Sequence, residues 1–124
     1  MKESVPITID LAYFYSLTDG DKAFEKMLLQ CTIDDIDTKI EGLRKSLAVK
    51  DLTGIRANAH LLISLYAIVG LPQIRRWSRT VAKIANGGNL NPELEILITS
   101  IISVWPKAKI ELIKTFKKSP VHLK

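Results

Sequence analysis

Residues 51–70 read DLTGIRANAHLLISLYAIVG, and the spacing of their apolar side chains decides the fold. Leu52, Ile55, Ala59, Leu62, Tyr66 and Val69 recur at alternating intervals of three and four, which is the seam of a helix packed in a bundle. At about 100° per residue, with Ala59 as zero, the seam centres at about 330° and His60 falls at about 100°. One imidazole therefore stands on the outer side of a buried helix. Arg56, Ile63, Ser64 and Ala67 share that side, on the turns above and below it.

The signals on either side of this helix bound it and place its neighbours. Asp51 is a natural N-cap, and Gly70 is the residue type that commonly follows a helix end. Leu71-Pro72 opens the next helix, with proline early, where its missing N–H leaves no bond unmade. Ile74, Trp77, Val81 and Ile84 give that helix its apolar stripe, and Arg75, Arg76, Arg79 and Lys83 occupy its other faces. Asn86-Gly87-Gly88-Asn89 stops it. Asn91-Pro92-Glu93 starts a last helix carrying Leu94, Leu97, Ile98, Ile101, Val104, Trp105, Ala108 and Leu112. Pro106 is expected to kink or break it, and the tail FKKSPVHLK to fray.

Upstream, a helix over about residues 21–49 buries Phe24, Leu28, Ile33, Ile36, Ile40, Leu43 and Leu47. Thr18 or Asp19 is its expected cap, with Asp21 adding charge to its first turn, and Asp34, Asp35 and Asp37 allow a bend in its middle. Residues 1–9 read as a tail before a short helix, whose Ile9, Leu11, Tyr13, Phe14 and Leu17 lie across one end. Four main helices with short connections predict an all-α, up-down-up-down four-helix bundle with a short extra N-terminal helix. Residues 1–124 form one domain, with a core over about 10–115.

Composition narrows the chemistry. The 124 residues are 47% hydrophobic and 25% charged, with a formal net charge of +5, a globular rather than disordered balance. The lone Cys31 makes no internal disulfide and builds no metal cluster; it suits a reducing cytosol and is expected to be a buried or half-buried small hydrophobe. No apolar run reaches the ~20 residues of a membrane span, and the N-terminus lacks the apolar core of a signal peptide. A cytoplasmic location is expected. Asp34 and Asp37, one turn apart, are a magnesium candidate on paper, although a solvated helix face explains them as well. His122 lies in the tail and is read as incidental. Enzymatic chemistry needs a base, an orienting partner and a pocket, and the two histidines are far apart with no paired carboxylates facing His60.

The segment from Ala59 to Leu65, with Gly70, resembles the signature of bacterial histidine-containing phosphotransfer (HPt) domains. In that family an Ala-His pair is followed by Leu two residues on, Lys three on, a small residue four on and often Gly ten on. Ala59, His60, Leu62, Ser64 and Gly70 fit; Ile63 stands where the Lys would be. LTDGDKAFEKMLLQC resembles the start of the family's long second helix, VKDLTGIRANAH its approach to the His, and the Arg-rich helix followed by a final helix its downstream order.

The resemblance implies a phosphorelay carrier in two-component signal transduction. His60 would accept a phosphoryl group from a receiver-domain aspartate and pass it to another receiver. The partners implied are response-regulator receivers or a hybrid sensor kinase. No cofactor or metal is expected on this chain, since Mg²⁺ and the aspartate belong to the receiver. An exposed imidazole, largely neutral in a cytosol, suits this role. Arg56 is the nearest cation for the charge Ile63 lacks; Ser64 offers a hydroxyl, and Ile63 and Ala67 an apolar ring for a receiver. Two alternatives stay open. One is an HPt-like module that docks receivers without being phosphorylated. The other is a basic helical nucleic-acid binder built on Arg75, Arg76, Arg79 and Lys83. Nucleic acid is not the expected partner, because Trp77 lies on the apolar stripe and no helix-turn-helix pattern is clear. A start at Met suggests a free carrier.

Overall fold

The structure, a computed structural model, describes residues 7–118. Five helices follow one another: α1 (Ala12–Thr18), α2 (Lys22–Ala48), α3 (Leu52–Ile68), α4 (Pro72–Asn86) and α5 (Pro92–Lys118). Each of α2 to α5 packs on its sequence neighbour, and α2 closes the ring against α5. Short turns make consecutive helices antiparallel, so this is an up-down-up-down bundle. α1 lies against α2 and α3. No helix among the described residues is long and apolar enough to cross a membrane.

Side-chain caps set the starts of three helices. The carboxylates of Asp21 and Asp51 accept from Phe24 N and Gly54 N, at 3.0 and 3.1 Å. The Asn91 side chain accepts from Leu94 N at 2.8 Å. The cap of α2 is thus Asp21, not Thr18 or Asp19. Asp19 is engaged in closing α1 in a left-handed conformation, its N–H donating to Tyr15 O.

The seam of α3 is as the spacing predicts: Ile55, Ala59, Leu62, Tyr66 and Val69 are fully buried, and Leu52 half-buried. Two other stripes are rotated. α2 buries Glu25, Leu29 and Thr32 before Ile33, which leaves Leu28 and Leu47 half-buried and Phe24 exposed. α4 buries Ile74, Ser78, Val81 and Ala85, with Trp77 and Ile84 at its border. Ser78 satisfies its hydroxyl on Ile74 O at 2.9 Å, so it can sit in the core. The small side chains of Ser78 and Ala85 let α4 lie close to α3, its most extensive partner. Cys31 is exposed, because the seam of α2 passes through Leu29, Thr32 and Ile33 and leaves position 31 on the outer face.

Pro106 does not break α5. The helix runs unbroken to Lys118, with Pro106 on its exposed side and Ile101, Trp105, Ala108 and Leu112 buried on the other. Packing on both sides of the missing hydrogen bond holds it. The first residues of the tail expected to fray, Phe116 to Lys118, are helical, and Phe116 stacks edge-on against Phe14 of α1 at 5.8 Å. His122 and the remainder of the tail lie outside the described residues.

Asp37, half of the magnesium candidate on paper, links α2 to α5. It accepts from the buried Trp105 Nε1 at 2.7 Å and from Lys109 Nζ at 3.0 and 3.1 Å. Asp34 meanwhile accepts from Gln30 at 2.9 Å. Asp37→Ala is expected to cost about 1–3 kcal/mol in urea unfolding, chiefly from the indole N–H left unpaired in the core. The Lys109 arm contributes little, since both partners are at least a third exposed.

Tyr66 crosses the core to meet Trp105 edge-on, with ring centroids 5.7 Å apart. Its hydroxyl is buried with no partner among the described residues. Burial, and secondarily the charge of Asp37, push the phenol well above its ordinary range. The fold therefore keeps this proton where the unfolded chain releases it, at about pH 10. Stability is unaffected below that pH and falls above it, by about 1.4 kcal/mol per pH unit for this one proton. Tyr66→Phe should fold at least as stably as the wild type at pH 7. Above pH 10 its melting temperature should fall less steeply, and equal slopes would exclude the mechanism.

Candidate functional site

His60 is exposed, and its ring has no hydrogen-bond or ionic partner among the described residues. Neither nitrogen is tied up by a described residue. It occupies the middle of α3, where the buried residues Ala59 and Leu62 fix the rotation of the helix. The imidazole stands clear of the core on rigid backbone.

The neighbouring helices locate this face in the bundle. On one side of α3 the Asn58 amide lies against Gly42 of α2, so close that a Cβ at Gly42 would overlap it. On the other side Ala67 shares an open cleft of about 300 Å³ with Arg75 at the start of α4, and with Asp10 and Tyr13 around α1. His60 lies about 160° from Asn58 but only about 20° from Ala67 on the helical wheel, so it belongs to the α4 side. Ile63 and Ser64 lie between them along the axis, one to either side. The fold thus brings His60, Ile63, Ser64 and Ala67 into one strip, with Arg56 one turn toward the start of α3. Arg56 and Ser64 are exposed and have no partner among the described residues, and Ile63 and Ala67 are half-buried.

At its cleft end the strip is met by a residue that periodicity alone did not single out for the site: Tyr13, 54% exposed, walls the cleft beyond Ala67. Its signal in the sequence was weak, since it reads as one more apolar residue near a seam. The charge is one-sided. α4 carries Arg75, Arg76, Arg79 and Lys83 and no acid, and none of them pairs with a carboxylate among the described residues. Arg75 is half-buried, and its Nε finds no acceptor among those residues.

The end of α3 is fixed by Gly70. Its φ of 69° continues the turn, Leu71 N donates to Tyr66 O at 3.0 Å, and Gly70 O accepts from Asp10 N at 2.8 Å. That last bond pins the segment leading into α1 beside the cleft.

The bundle of five helices, with α1 laid beside the end of α3, is similar to known structures. The HPt domain of a hybrid sensor histidine kinase from Shewanella superposes with a TM-score of 0.73, at 13% identity over 89% of this chain and 94% of that one. The chain has the HPt fold. Histidine-containing phosphotransfer protein B of Pseudomonas aeruginosa PAO1 has a TM-score of 0.62, at 17% identity over 87% of this chain and 98% of that one. No protein-family model and no curated protein matches the sequence. Nearly the whole length of each of these domains is spanned.

Among the described residues, no three His, Cys, Asp or Glu side chains gather as a metal site.

Proposed function

We propose that the protein is a phosphorelay carrier of two-component signalling, with His60 as its phosphoacceptor. The observation that carries this reading is an exposed imidazole, without a partner among the described residues, on the rigid middle of α3, bordered by a small and apolar strip, in a bundle with the HPt fold. The chemistry needs little else from this chain. A lone pair of the imidazole attacks phosphorus in a receiver's aspartyl phosphate. The N–P bond forms, the P–O bond breaks, and the carboxylate leaves with the bonding pair. The other ring nitrogen keeps its proton throughout, and the reverse sequence delivers the group to a second receiver. Mg²⁺ sits in the receiver, whose site closes over His60. Arg56 is a cation on the acceptor's own helix, Ser64 provides a hydroxyl beside the ring, and Ile63 and Ala67 meet the receiver's apolar contact surface. The partners are response-regulator receivers or a hybrid sensor kinase in the cytoplasm.

The test is to incubate the protein with phosphorylated receiver domains from the same cell and follow acid-labile label. Transfer to this chain supports the carrier. Receivers that bind but transfer nothing would replace it with a docking module that has lost its chemistry. Salt-steep binding to duplex DNA in place of receiver binding would assign the basic α4 to nucleic acid instead.

A further inference from the structure

Ile63 leaves the acceptor without a cation one turn after it, yet the structure offers two across the groove. Ala67 of α3 and Arg75 of α4 wall the same cleft, which sets the register of two antiparallel helices. Stepping back along α3 from Ala67 reaches Ile63 and then His60, while stepping forward along α4 from Arg75 reaches Arg79 and then Lys83. In that register Arg79 comes level with Ile63, and His60 is level with Ala82, between Arg79 and Lys83. At ~1.5 Å per residue, each of these two cations lies within about one helical turn of His60 along the axis. Packed helices run ~8–10 Å apart, a gap that long basic side chains on the outer edges of a groove can cover. Arg79 and Lys83 are both exposed and have no carboxylate partner among the described residues.

Building on the carrier reading, we propose that Arg79 and Lys83 of α4 supply the positive charge beside the phosphoryl group on His60, from across the α3/α4 groove. The phosphoryl group is close to dianionic, and two cations flanking it lower its energy. They act on its lifetime as well. Hydrolysis breaks the N–P bond as water attacks phosphorus, giving orthophosphate and returning a proton to the ring nitrogen. The imidazole leaves more readily when its other nitrogen is protonated, and nearby cations oppose that protonation. Arg56, on α3 itself, adds to the same field.

The measurement is the half-life of chemically made phospho-His60. Phosphoramidate is the donor, so no receiver is needed, and a His122→Gln background confines the label to His60. The Arg79→Ala/Lys83→Ala double variant is expected to lose its phosphoryl group about fivefold faster at low salt, and the difference should shrink as added salt screens it. Arg79→Lys should retain most of the wild-type half-life, which a merely structural role would not predict. Both side chains are exposed, so melting temperatures should be unchanged. A double variant that decays at the wild-type rate would overturn the proposal, even if receivers label His60 normally. Receivers that fail to label a protein whose half-lives follow this pattern would remove the carrier reading and leave the counter-charge standing. No label at His60 from either donor would remove both.

Discussion

His60→Gln is expected to abolish acid-labile label from every phosphorylated receiver while shifting the melting temperature by no more than about 3 °C. The two halves of that expectation have separate causes. The imidazole contributes no hydrogen bond or ion pair within the described residues, and its position is exposed. Exposed substitutions away from caps and core change stability by about 0.5 kcal/mol or less. Glutamine keeps a helix-compatible, unbranched side chain, so α3 loses no propensity to form. The amide nitrogen of glutamine, however, has its lone pair delocalised into the carbonyl and cannot attack phosphorus. Phosphorylation should therefore be lost outright rather than slowed. Receiver binding should survive, because the strip of Ile63 and Ala67, with Tyr13 beyond it, is intact. Label persisting on the variant would move the acceptor elsewhere, with His122 the first place to look.

The fold was legible because its decisive signals were local. Asp51 and Asn91 act at helix starts, and Gly70 at a helix end, through bonds spanning three to five residues, which sequence spacing represents directly, and Pro72 acts at a helix start through its own fixed φ and missing N–H. What spacing could not settle was rotation. Leu28 and Leu29 are both apolar, and Trp77 is a larger apolar side chain than the Ser78 beside it. Which of them faces inward depends on the neighbouring helices, not on the helix itself. The burial of Ser78 in preference to Trp77 follows from the close approach of α3 to α4, a tertiary fact. Pro106 illustrates the same limit. A proline penalty is local and its offset by core packing on both flanks is not.

The candidate site divides in the same way. His60, Arg56, Ile63, Ser64 and Ala67 lie on one helix, so a helical wheel suffices to group them. Arg79 and Lys83 belong to the neighbourhood only through the register of α4 on α3, and in the sequence they are two members of an ordinary basic face. Tyr13 joins it through a backbone bond between residues 10 and 70 that no periodicity reports.

Gly70→Ala should cost about 3 kcal/mol, several times the effect of the same change at Gly20. Both glycines have positive φ, 69° and 82°, so alanine at either incurs the left-handed strain of about 1 kcal/mol. Only at Gly70 is there a collision besides. A Cβ built on Gly20 meets nothing within 4 Å, whereas one on Gly70 runs into the backbone of Asp10, beginning with its carbonyl oxygen. Backbone cannot step aside as a flexible side chain can. The segment entering α1 has to move, and the bond from Asp10 N to Gly70 O is put at risk with it. The displacement reaches function because Tyr13 and Asp10 wall the cleft beside Ala67. Transfer from receivers to Gly70→Ala should slow, while phosphorylation by phosphoramidate, which needs only an open imidazole, should proceed at the wild-type rate. Equal losses of stability at positions 20 and 70 would mean that the segment before α1 yields freely. In that case the docking of α1 on the end of α3 would contribute nothing to the receiver surface.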